Sequence, residues 1–185
     1  GPEFQNAWLR GLNDAWRTSE IEYDPSEVFI TINEIINEDG FWKDINNDYQ
    51  KDWLISTILS FIEDGIKIKG KEFDNENLKE VKEILITISK NEKSQINDFK
   101  DLSMTALNNV KGKLYSCLIE YSLCNSRRLP SSTESVGFWD KEIKDIVLNK
   151  LADQTDNVLI FHTLGKYLLN IGYLDKDWLI NNFPK

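Results

Sequence analysis

Apolar positions recur every three to four residues along almost the whole chain, the pattern of helices that bury one side. The longest such run in the second half is 102–129, where Leu107, Val110, Leu114, Leu118 and Tyr121 form one stripe. Tyr115, Ile119 and Ser122 widen that stripe. A helix apolar on more than one side needs more than one neighbour, so this one is expected at the centre of the fold. Gly112 costs about 1 kcal/mol relative to alanine inside a helix, and with Ser116 one turn later it reads as a packing notch. Arg127 and Arg128 fall in the last turn, where cations meet exposed carbonyls. The pair reads as a solvated helix end, with an anion site as the alternative. Pro130 stops the run and a loop follows at 130–137.

In chain order, residues 5–19 set Trp8, Leu12 and Trp16 on one face of a short helix weakened by Gly11. Asp24 followed by Pro25 is an N-cap with a first-turn proline. Val28, Phe29, Ile32, Ile35 and Ile36 supply that helix's buried face, and Asp39–Gly40 ends it. Residues 49–64 carry Trp53, Leu54, Ile55, Ile58, Leu59, Phe61 and Ile62, apolar around so much of the circumference that the helix must lie between others. The stretch 65–73 alternates apolar and basic positions, which fits either a small hairpin or a helix end with a turn at Gly70. Asp74 caps the next helix, on which Leu78, Val81, Leu85 and Ile88 repeat. Residues 90–98 are turn-like, and Phe99, Leu102 and Met104 suggest a short helix leading into the central one.

Beyond the loop, Trp139, Ile143, Ile146, Val147 and Leu151 mark an amphipathic helix, with Lys141, Glu142, Lys144 and Asp145 facing water. A helix over 155–171 is expected to bury Phe161, Leu164, Leu168 and Ile171 and to stop at Gly172. A last short helix starts at Asp175 and is anchored by Trp178. The sum is an all-α chain of eight or nine helices in antiparallel pairs, arranged as a HEAT-like array or a compact multi-helix bundle.

Length and charge narrow the picture. With 185 residues, 41% of them hydrophobic, one substantial core is within reach. Residues 1–4, Gly1-Pro2-Glu3-Phe4, read as a protease-cleavage and cloning remnant. The expectation is therefore a single helical domain over 5–185, cut from a longer protein. The net charge of −9, from 31 acidic and 22 basic residues, argues against a nucleic-acid partner. No 18-residue apolar run is present, so no membrane span is expected. Cys117 and Cys124, seven apart on one helix, are separated by roughly 10 Å, beyond the about 7 Å that a disulfide spans. They read as free thiols in a reducing compartment, which points to the cytoplasm.

Catalytic chemistry finds little footing. His162, the only histidine, shares a helix side with Val158, Gly165 and Leu169 and reads as a buried or half-buried structural residue. No metal-ligand spacing, nucleophile elbow or phosphate loop is present. Asp64 with Glu80 and Lys82 mimics the acid-plus-ExK pattern of metal-dependent nucleases. The helical period of that segment turns Glu80 and Lys82 about 200° apart, however. Trp53, Trp139 and Trp178 read as packing anchors. Trp42, beside Phe41 in a connector, is the best candidate for an exposed aromatic, although interior packing suits it better. Trp42, Arg127 and Arg128 are the candidate interface residues; catalytic, metal and cofactor-binding residues are none.

Asn108, Gly112 and Lys113, ahead of an apolar helix, match a segment of the form Asn-x-x-x-Gly-Lys. Leu174, Asp175 and Trp178 match a Leu-Asp-x-x-Trp segment, and Phe138-Trp139-Asp140 sits where a Trp-Asp helix start falls between them. Through these residues, 102–183 resembles the helical C-terminal region of prokaryotic antiphage defence-associated sirtuins and related large defence proteins. The resemblance implies a non-catalytic helical region that senses a protein partner, such as a phage structural protein. That region would control an NAD-degrading effector domain absent from this chain, with self-association of the full-length protein left open. The alternative expectation is an acidic helical inhibitor or mimic that binds a basic partner, and a third is a degenerate nuclease built on Asp64, Glu80 and Lys82.

Overall fold

The computed structural model describes residues 1–18, 23–43, 48–69, 71–93, 108–128, 138–152 and 157–182. Among them are nine helices and no strand: α1 (Pro2–Thr18), α2 (Pro25–Asn37), α3 (Asp48–Lys67), α4 (Asn75–Asn91), α5 (Val110–Arg128), α6 (Lys141–Ala152), α7 (Asn157–Lys166), α8 (Leu168–Leu174) and α9 (Lys176–Asn182). The chain is all-α, a packed bundle with antiparallel helix contacts. The leads at 94–107 and 129–137, with Phe99, Leu102, Met104 and Leu107, lie outside the described residues.

Local chemistry explains most helix boundaries. Asp24 accepts from the Ser26 amide at 2.9 Å and Pro25 supplies the fixed first-turn φ. Asp74 accepts from the Asn77 amide at 2.8 Å, Asp140 from the Glu142 and Ile143 amides, and Asp175 from the Trp178 amide at 2.8 Å. Gly40, at φ 100°, takes a left-handed conformation in the turn after α2 that a side chain would resist.

The helices fall into two rows. Helix α1 lies along α3, α3 along α5, and α5 along α7 and α8, while α2 lies along α4 and α4 along α6. Helix α5 also touches α4 and α6, so it contacts both rows, as its wide apolar surface requires. Leu54, Ile55, Ile58, Leu59, Phe61 and Ile62 of α3 are all buried, as are Val110, Leu114, Cys117, Leu118 and Tyr121 of α5. The two helices approach closely enough for the Cys117 thiol to donate to the Leu59 carbonyl at 3.4 Å.

Next to them, Phe61, Phe73, Phe29 and Trp16 form a ring cluster whose centroids lie 5.0 to 6.4 Å apart in edge-on and tilted pairs. The tightest approach of this cluster to a backbone is at Gly65, where an added Cβ would lie 2.0 Å from the Phe73 ring. Gly112 is buried and Ser116 half-buried, but the glycine that a ring demands is Gly65. The stretch after it is the helix-end alternative: α3 runs to Lys67, and the Phe73 amide folds back to donate to the Gly65 carbonyl at 2.8 Å.

Several positions differ from the sequence reading. Trp53 is 52% exposed and anchors no core, because the buried apolar residues of α3 span one broad side and Trp53 points opposite their centre. The helix expected over 155–171 is broken at Tyr167 into α7 and α8. Ile160, Thr163 and Leu164 form the buried side of α7, which turns Phe161 outward to 51% exposure. Gly172 lies inside α8, whose C-cap is Asp175. Lys144 is half-buried and paired with Asp175 instead of facing water. Trp139 is buried and Trp178 half-buried, packed edge-on at 5.8 Å as anchors.

Candidate functional site

Arg127 and Arg128 line a cleft of about 550 Å³ with Lys67, Glu72, Glu120 and Cys124, between the end of α3 and the last turns of α5. Most of its polar groups are already engaged. The Arg128 guanidinium donates to the Phe73 carbonyl and to Asn75 Oδ1 at 3.0 Å, pinning the α3–α4 turn onto α5. Asp74 is committed to its helix cap. Glu120, with a side chain only 12% exposed, takes Lys67 at 3.0 Å and accepts from the Tyr167 hydroxyl at 2.8 Å. Burial pulls the Lys67 ammonium down, but Glu63 and Glu120 outweigh it and hold its pKa above the ordinary range. Burial and the Glu120 carboxylate together push the Tyr167 phenol up. The network ties α3 and α5 to the break between α7 and α8, and its chemistry is that of a structural cross-link.

The remaining sequence candidates are dispersed. Trp42 is half-buried: its Nε1 donates to the Ile36 carbonyl at 2.6 Å and its ring stands edge-on to Phe41 at 4.9 Å, closing the end of α2. Asp64 binds Asn13 Nδ2 at 3.0 Å, Glu80 accepts from Asn33 at 3.0 Å, and Lys82 pairs with Asp140 at 2.9 Å and Glu142 at 3.3 Å. The three groups of the nuclease-like pattern therefore serve three separate contacts. Among the described residues, no set of three His, Cys, Asp or Glu stands together as a metal site. Cys117 and Cys124 are both buried and unbridged, and burial raises both thiols, away from nucleophilic thiolate. His162 is half-buried on α7. No helix among the described residues is long and apolar enough to cross a membrane.

What the sequence reading missed is an apolar face on the last three helices. Val158 and Phe161, with the open position of Gly165, share one side of α7. Leu169, 89% exposed, and Tyr173, 57% exposed, stand one turn apart on α8, and Ile180 projects from α9. Phe4, Ile30 and Trp53, the other exposed large apolar residues described, sit singly on α1, α2 and α3, while the described side chains of α4, α5 and α6 include none. Single exposed apolar residues are ordinary, whereas five on adjacent short helices are more than any other part of the described surface gathers. A signal was present: α7 and α8 carry apolar residues on two sides, and periodicity alone does not say which side wins. Compared with protein-family models, curated proteins and solved structures, the chain matches none.

Proposed function

We propose that this chain is a non-catalytic helical recognition domain that binds a protein partner through the α7–α9 face. One observation carries the reading: five large apolar side chains stand in solvent there, whereas α1, α2 and α3 each expose one among the described residues. Helices α7 to α9 lie at one end of the bundle, and the end of a helical stack presents apolar surface unless a polar cap covers it. The likeness of 102–183 to defence-associated sirtuins supports the further proposal that the partner is a phage structural protein and that the domain controls an NAD-degrading effector. Binding of the immobilised chain to purified phage structural proteins tests this. Substituting Phe161→Ser with Leu169→Ser should abolish capture while the melting temperature holds, and equal capture by both chains overturns the assignment of the face.

A second reading, an acidic mimic of a basic partner, draws on the outward carboxylates Glu27 and Glu34 of α2 and on the net charge of −9. Its signature is different: a basic partner is released at moderate salt, whereas apolar docking survives it.

A further inference from the structure

The charges bordering the exposed apolar residues narrow the choice of occupant. On α8, Leu169 and Tyr173 lie between Lys166, in the last turn of α7, and Lys176, in the first turn of α9. Both lysines are exposed, and neither has an ion-pair partner among the described residues; Lys166 rests over the Tyr167 ring. Asp177, next to Lys176, is the exposed carboxylate nearby, and Asp175 is committed to Lys144. The pattern is base, apolar, apolar, base.

Helix α2 carries the complementary pattern. Glu27, Ile30 and Glu34 fall within about 60° of one another at 100° per residue. Ile30 is 59% exposed, and the two carboxylates are exposed without an ion-pair partner among the described residues. The pattern is acid, apolar, acid. These surfaces lie at opposite ends of the two-row stack, on the second helix and on the seventh to ninth.

We infer that the α7–α9 face docks on α2 of a second copy of this chain, head to tail, with Ile30 seated against Leu169 and Tyr173 and Glu27 and Glu34 meeting Lys166 and Lys176. This deepens the proposed function by naming an occupant for the same face, and it rests on that reading. Pairing the α7–α9 face with itself would set Lys166 and Lys176 against their own copies, whereas the head-to-tail arrangement cancels both charge sets. Such a contact is heterologous and leaves one free head and one free tail, so it propagates. The long-range repulsion of two chains at −9 opposes it, but at physiological ionic strength that field is screened within about 8 Å while contact pairs are not.

The test is sedimentation of the full chain over a concentration series, alone and as two variants. Wild type should form concentration-dependent dimers and longer species. Ile30→Glu and Leu169→Glu should each weaken association by at least about tenfold, the scale of an interface hot spot. A mixture of the two variants should form a one-to-one dimer that grows no further, because only one intact head and one intact tail remain. Raising salt from about 0.15 M to about 1 M should weaken the wild-type species by less than either substitution does, because the apolar contact survives it, and complete dissociation by salt alone overturns the seating of Ile30 on Leu169 and Tyr173. Thermal melts of both exposed-site variants establish that they fold. A chain monomeric at every concentration overturns the inference, and so does Ile30→Glu associating as well as wild type, which means self-pairing of α7–α9. Capture of a phage protein by a strictly monomeric chain would sink this inference and leave the recognition reading standing.

Discussion

Helix α5 and the α7–α9 run are both rich in apolar residues, and they meet opposite fates. Helix α5 has neighbours in both rows, so Leu114, Tyr115, Leu118, Ile119 and Tyr121 are buried although they point in different directions. Helices α7 to α9 sit at the end of the rows, touching α5, α6 and one another. Ile160, Leu164, Ile171 and Leu174 face that support and are buried, while Val158, Phe161, Leu169, Tyr173 and Ile180 have nothing beyond them among the described residues. Apolar content says that a residue gains from burial; the number of neighbouring helices says whether burial is on offer. The centre accordingly contributes its apolar area to stability, and the end leaves part of its own in solvent.

Substitutions can break that contrast. Phe73→Ala should cost the most, about 3–5 kcal/mol in urea unfolding, because it empties a ring cluster shared by α1, α2 and α3. Gly65→Ala should cost about 1–3 kcal/mol by overpacking against the same ring. The two are coupled: in the Phe73→Ala background the added methyl has room, so the Gly65→Ala penalty should fall toward zero, and a double-mutant cycle reads the difference.

Asp175→Ala should cost about 1 kcal/mol at neutral pH, the size of a lost helix cap. Its pH dependence follows from its partners. Burial pushes the Asp175 carboxyl up, but the Lys144 ammonium and the Trp178 amide outweigh it, so its folded pKa is depressed. The stabilisation is then complete above the ordinary carboxylate value of about 4 and is lost as pH falls through the depressed one. Wild type and Asp175→Ala should therefore converge in acid, and parallel curves down to the lowest pH would show that the pair contributes nothing. The smallest expected effect is at the other pole of the comparison. Leu169→Ser should change unfolding free energy by less than about 0.5 kcal/mol while removing association or partner capture. A loss of several kcal/mol there would mean that the face is interior after all.

Much of the architecture was legible before any coordinates. Asp24-Pro25, Asp74 and Asp175 are local signals, since an N-cap depends on the residue and the next three amides. The centrality of α5 was legible too, because an apolar surface that wide has no other solution. The candidate site was not. Trp42, Arg127 and Arg128 were reasonable interface residues by type, yet Trp42 closes the end of α2 and Arg128 holds the Phe73 carbonyl. Phe161 fits the core stripe of an unbroken helix. The buried stripe instead runs through Ile160, Thr163, Leu164, Tyr167, Ile171 and Leu174, one period carried across the turn at Tyr167, and Phe161 falls beside it, about 100° from Ile160.

The sequence by itself determined that this chain is helical, where most helices start, and which two of them are apolar on more than one side, because those properties depend on contacts within about one turn. Only the tertiary structure decided that Gly65 is the position where a ring needs the missing side chain, that Trp53 is outward, and that the last three helices present an apolar face. Each of those depends on what a distant segment brings to the far side of a helix, and a period of 3.6 residues carries no record of that.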